Sequence, residues 1–261
     1  MRITCLTTAP HRRHCRRPAR APSAQHRQAH RQHGFTLVEI AIVLVVVGLL
    51  IGGLITPLST QLEQRRTADT QRAMEDARDA LVGFAVRNGY LPCPARSAAN
   101  GLEDRAGERC TNERRSGFLP WATLGMSKLD SWGHIFVYSV TPDFADSALP
   151  FRLSTPRDIT VATRDAAGNL VAATAPNDIP AVILSAGKNG YGGFSDLGVR
   201  AVDAGTGNAD EKVNMLPGGT AYIARGASDN AALPGGAYDD LVVWLSPNIL
   251  FNRMIAAQRL P

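Results

Sequence analysis

The chain has 261 residues, 44% of them hydrophobic and 20% charged, with 24 glycines and four cysteines. That length accommodates one membrane helix and one medium globular domain with a sizeable core, and leaves little room for two full domains. The net charge of +5 is no argument for nucleic acid: residues 1–34 hold eight arginines and no acid, and taking those eight from the 28 basic residues leaves 20 against 23 acidic ones, near −3, so no nucleic-acid partner is expected for residues 35–261.

Met1 to Gly34 is rich in Arg, His and Pro and contains five of the six histidines. Its positive charge favours the cytoplasmic side, which orients the apolar stretch behind it with the C-terminal part outside. The rivals are an Arg-rich transit peptide or a basic arm on nucleic acid, and a His-rich tract can also bind metal. A disposable soluble leader is the expectation. It is followed by Gly34-Phe35-Thr36-Leu37-Val38-Glu39 and the nearly uninterrupted apolar run Ile40 to Ile55. About 20 apolar residues rising 1.5 Å each cover the roughly 30 Å of a bilayer core. Glu39 is the exception inside the run, and a carboxylate in such a helix requires a cationic partner. A secretory signal peptide fits poorly, because its apolar core is about 7–15 residues long and ends at a cleavage site.

Gly34 followed by Phe35-Thr-Leu-Val-Glu39 and an apolar helix resembles the type III signal of type IV prepilins and type II secretion pseudopilins. The resemblance implies cleavage between Gly34 and Phe35 by prepilin peptidase and N-methylation of Phe35. It also implies assembly through Glu39, whose carboxylate pairs with the N-terminal amine of a neighbouring pilin or pseudopilin subunit. The bare alternative is a signal anchor with an accidental Gly-Phe-x-x-x-Glu. Presence of Glu39 argues against the tip-type pseudopilin, which in the family lacks the acid.

Gly48, Gly52, Gly53 and Pro57 predict a kink or melted turn between Gly48 and Pro57, or mark only the general enrichment of Gly and Pro in membrane helices. Beyond Pro57 the pattern becomes amphipathic, with Leu62, Ala73, Ala77, Ala80, Leu81 and Phe84 at helical spacings. One helix is expected from about Thr36 to Val86, ended by Asn88-Gly89. The expected division is a removed leader at 1–34, a transmembrane and assembly helix at 35–57, its amphipathic continuation at 58–89, and a periplasmic globular domain at 90–261.

Cys5 and Cys15 fall in the leader, leaving Cys93 and Cys110 as an even pair around a polar loop. Outside the cytoplasm a disulfide is permitted, and Cys93–Cys110 is expected to form one. A zinc site lacks ligands, since only His134 remains beside them. Strands are expected over His134–Val140, Phe151–Ser154, Ile159–Thr163, Leu170–Ala173, Ala181–Ser185 and Leu241–Leu245. A short terminal helix, capped by Ser246 with Pro247 at its first position, is expected at the end of the chain. Trp121, Trp132 and Tyr138 are core or sheet-edge candidates. Asp130-x-Trp132-Gly133 with Tyr138 is similar to a pattern of major pseudopilins. Cys93-Pro94, Ala186-Gly-Lys-Asn-Gly190 and Asp239-Asp240-Leu-Val-Val-Trp together resemble a long-bodied group of prepilin-like proteins.

No enzyme is expected. Ser185-Ala-Gly-Lys188 matches a Ser-x-x-Lys motif without its companion elements, and a single histidine lies outside the leader. Acidic residues among the glycines of the C-terminal loops make calcium the one cofactor to weigh, with Asp196, Asp239 and Asp240 as candidate ligands against a solvated acidic loop. Major pseudopilins bind calcium in their sheet loops, so the resemblance points the same way. The expectation is an α+β pilin-like fold: a long N-terminal helix packed on an antiparallel sheet, with a short C-terminal helix. It implies a structural subunit of a type II secretion or related type IV filament, anchored singly in inner-membrane lipid before an assembly platform extracts it. The alternatives are a minor type IV pilin for adhesion, motility or DNA uptake, and an uncleaved membrane-anchored binding protein.

Overall fold

The computed structural model describes residues 35–260, except that the side chains of residues 53–58 are outside the description. The leader, with the cleavage-side residue Gly34, lies outside the described residues. The chain divides into two compact units, Met1–Gly53 and Leu54–Pro261.

Helix α1 runs Leu37–Asn88, 52 residues, and crosses the boundary of the units. In the first unit it begins where Thr36 Oγ1 accepts the amide of Glu39 at 3.2 Å, a threonine cap on an otherwise orphan donor. Every large apolar side chain described from Phe35 to Ile51 is 43–88% exposed. The expected melted turn is absent: the helix continues through Gly48, Gly52 and Pro57. Pro57 deprives the Gly53 carbonyl of one amide, and propagation through the adjoining Leu and Ile residues carries the helix past that single loss. Among the described residues no helix is long and apolar enough to cross a membrane.

In the second unit, the core-facing stripe of α1 is Thr70, Met74, Ala77, Leu81 and Ala85, at four- and three-residue steps. Leu62, expected in that stripe, is 49% exposed, because the packed part of the helix begins only at Thr70. Gly89 ends the helix at φ +88°, a left-handed position that a side chain would strain. Its amide returns to the Ala85 carbonyl at 2.7 Å.

The remaining elements are β1 (Arg105–Ala106), β2 (Arg109–Cys110), β3 (Ser116–Phe118), α2 (Trp121–Leu124), β4 (Val137–Val140), β5 (Thr160–Arg164), β6 (Leu170–Ala172), β7 (Ala181–Ser185), α3 (Ala209–Asn214), β8 (Ala221–Ile223), β9 (Leu241–Trp244) and α4 (Pro247–Ala256). The main sheet has the order β3-β4-β7-β9 and is antiparallel throughout, with Tyr138 opposite Ile183 and Ile183 opposite Val243. Those three residues face one way and join the stripe of α1 and Leu250, Phe251 and Met254 of α4 in the larger core. The alternate residues Val182 and Leu184 face the other way, into a second core with Ile159, Val161, Met215 and Tyr222. All five residues of β7 are consequently buried, as both faces of the sheet are covered.

The architecture is α+β, as expected, with corrections. A second sheet, β6-β5-β8, covers the main one, and its β5–β8 pair is parallel. Phe151–Ser154 is no strand: Phe151 follows Pro150 and plugs the core, stacked 4.7 Å from Phe144. Ser246 precedes α4 without a side-chain cap bond, its carbonyl taking the Leu250 amide instead. A disulfide joins Cys93 and Cys110, 17 residues apart, next to the β1–β2 hairpin.

Candidate functional site

Two places hold chemistry that the packing of the fold does not explain. The first is the start of α1. Thr36 and Glu39 stand in the Thr-x-x-Glu spacing of a helix N-terminus, and an acid in the first turn complements the helix dipole. Glu39 is exposed, and its carboxylate has no ion-pair or hydrogen-bond partner among the described residues. Phe35 beside it is 75% exposed. A soluble body does not ordinarily leave an apolar segment of this length uncovered.

The second lies where β7 leaves the main sheet and β9 enters it, with Ser185 opposite Leu241. Carboxylate oxygens of Glu211, Asp239 and Asp240 all lie within 4.8 Å of one another. Helix α3 supplies Glu211, which is fully buried. Its Oε1 accepts from Asn189 Nδ2 at 2.8 Å and from the Asp239 amide at 2.9 Å. Asn189 returns its backbone amide to Asp239 Oδ2 at 2.9 Å, and Asn214 Nδ2 donates to Asp240 Oδ2 at 2.9 Å. Gly187 allows the close approach of this loop: at φ +60°, a Cβ there would meet the carbonyl of Asp239.

Asp239 Oδ1 and Asp240 Oδ1 are buried without a hydrogen-bond partner. Burial, reinforced by the charge of Glu211, pushes the Asp239 carboxyl up to about 6. Burial and the neighbouring carboxylates raise Asp240 well above the ordinary range. Three crowded carboxylates with two idle oxygens have the donor chemistry of a hard divalent cation.

Of the residues named from sequence, Asp239 and Asp240 come together, and Asp196 does not join them. Asp196 is neutralised by Lys128 at 2.5 Å. Glu211 takes the third place; it was one acid among many in a glycine-rich loop, and no spacing marked it out. Asp130 is structural: it accepts the Ser185 hydroxyl at 2.6 Å and the amides of Trp132 and His134. Burial works to raise its carboxyl, but the bonds from His134 and Ser185 prevail and hold it below its usual value. The Ser185 hydroxyl is thus engaged with Asp130, while Lys188 is exposed. Tyr138 is buried in the main core and Trp132 donates its indole N–H to Glu63 at 3.1 Å.

No curated protein and no solved structure matches the chain. The family model of the prokaryotic N-terminal methylation motif matches residues 29–55, the stretch that holds Gly34, Phe35, Glu39 and the apolar run. The chain therefore carries a type IV prepilin or pseudopilin-like N-terminal signal, and the family marked by that signal is structural in role.

Proposed function

We propose that this protein is the precursor of a structural subunit of a type II secretion filament or a related type IV filament. The observation that carries the proposal is the methylation-motif match at residues 29–55, centred on an exposed apolar segment whose one acid, Glu39, has no partner among the described residues. Prepilin peptidase cuts between Gly34 and Phe35, and Phe35 is methylated. Before assembly the apolar helix lies in inner-membrane lipid with its N-terminus cytoplasmic and residues 90–261 periplasmic. At the assembly platform, Glu39 takes the amine of Phe35 on a neighbouring subunit, so that two charges costly in apolar surroundings neutralise each other.

Calcium is the cofactor the second site supports. Glu211, Asp239 and Asp240 would hold it, and the two idle buried oxygens are the reason. Bound there, the ion would tie α3 to the β7 and β9 ends of the main sheet and so stabilise the globular body. No catalytic role is proposed.

Deleting the gene separates the two filament systems. Lost exoprotein secretion with normal surface fibres assigns the subunit to secretion, and the reverse assigns it to a pilus as a minor pilin. A deletion that leaves both unchanged would favour the uncleaved, membrane-anchored binding protein.

A further inference from the structure

A hollow of about 250 Å3 opens beside β3, walled by Phe118, Phe194, Met215 and Tyr222. Its lining includes two arginines, Arg96 and Arg114, and no acidic residue. Several arginines of this body are held by carboxylates, whereas Arg152 and Arg253, which lie outside this hollow, share with Arg96 and Arg114 the lack of a side-chain partner among the described residues. Arg115 is held by Asp158 at 2.7 Å, Arg157 by Asp178 at 2.8 Å, and Arg164 and Arg225 by Asp210 at 2.6 and 2.8 Å. Arg96 and Arg114 have no side-chain partner among the described residues, although Arg114 is half-buried. The other polar groups of the lining are already engaged: Ser116 Oγ accepts the Gly218 amide at 2.7 Å, the Tyr222 hydroxyl donates to the Gly219 carbonyl, and Asn214 donates to Asp240. Among the described polar side chains of the lining, the two guanidinium groups are the ones left to meet a ligand.

We infer that this hollow is a binding site for a small amphipathic carboxylate, an acid with one ring or a short branched chain. Its carboxylate meets Arg96 and Arg114, and its apolar body lies against Phe118, Phe194 and Met215. Unpaired guanidinium groups beside apolar walls favour an anion, and their planar fork matches a carboxylate. The volume is just below the roughly 300 Å3 at which common ligand pockets begin, so a small acid fits better than a long acyl chain. The inference stands on the globular body alone and does not depend on the filament proposal.

The test is photolabelling of the full chain, held in zwitterionic phosphatidylcholine nanodiscs, with 4-(trifluoromethyl-diazirinyl)benzoate and, in parallel, the neutral benzyl alcohol of the same skeleton. Saturable labelling of peptides carrying Phe118, Phe194 or Met215 by the benzoate alone is expected, with competition by 4-phenylbutyrate. Arg96→Gln with Arg114→Gln should raise the half-saturating concentration by about tenfold or more. Neither arginine has a partner to lose, so the variant should keep its near-ultraviolet circular dichroism. If it does not fold, Leu216→Trp, which fills the hollow from a 47% exposed rim position, must abolish saturable labelling. Equal labelling by the neutral probe, or labelling unchanged in the variants, overturns the inference. So does labelling that disappears as protein concentration rises, because the hollow would then be a contact with a second copy.

Discussion

Glu39 and Asp210 are two carboxylates treated in opposite ways. Asp210 is buried, but Arg164 and Arg225 both donate to it, and Arg225 also lies over the ring of Tyr238 at 4.6 Å. Glu39 is exposed among exposed apolar side chains, with no partner in the described chain. The body folded around the main sheet largely satisfies its own charges and apolar surface. Among the described residues the N-terminal segment satisfies neither, and in the function proposed above lipid covers its side chains and a neighbouring subunit's amine meets the acid.

The largest effect on assembly should come from the segment. Glu39→Ala is expected to leave cleavage intact and to reduce incorporation into sheared or crosslinked filaments by at least about tenfold, the factor that about 1.4 kcal/mol represents. Normal incorporation would break the contrast, since Glu39 would then need no partner. In the body, Asp210→Asn removes the counter-charge of two largely buried guanidinium groups and should cost on the order of 3–5 kcal/mol in denaturant unfolding. Leu81→Ala, in the main core, should cost about 2–5 kcal/mol, whereas Val45→Ala on the exposed segment should leave the stability of the body unchanged. Reducing the Cys93–Cys110 bond should cost about 3 kcal/mol, given its loop length.

The acidic cluster sharpens the comparison from the other side, being the part of the body that does not satisfy itself. Folding raises the Asp239 carboxyl to about 6, and burial also raises Asp240 well above the ordinary range. The folded state therefore holds more protons than the unfolded one, and stability without a cation falls as pH rises from near 4 through 6. Calcium binds the ionised form, so on the order of 1 mM calcium should raise Tm more at pH about 7.5 than at about 5. Equal melting with calcium and with chelator at the higher pH would remove the ion from the account. The smallest effect concerns caps: Thr36→Ala should lower helicity at the start of α1 by about 1 kcal/mol, while Ser246→Ala should change little, because Ser246 makes no cap bond.

Long elements with strong local signals were legible in the sequence. The ends of α1 follow from Thr36 and Gly89, and β4, β5, β7 and β9 from β-branched runs between turn residues. The short strands β3 and β8 carry too few residues to show a period of two, and the long-range pairing of β3 with β4 decides the former. Leu62 shows why helical spacing alone overstates burial: the pattern continues where there is no sheet to pack against. The candidate metal ligands were half legible. Asp239 and Asp240 are adjacent in sequence, but Glu211 reaches them only because α3 folds back beside the β7 exit loop, a contact across 28 residues. Arg96 and Arg114 carry no spacing signal, and their shared feature is the lack of a partner, which only packing reveals.

The account rests most directly on the N-terminus of the membrane-extracted protein, measured with its intact mass in the presence and absence of prepilin peptidase. A peptidase-dependent start at Phe35, carrying one methyl group, is the predicted result. A chain that still begins at Met1 in its own host would contradict it, leaving Glu39 without its amine and the apolar segment as a simple anchor.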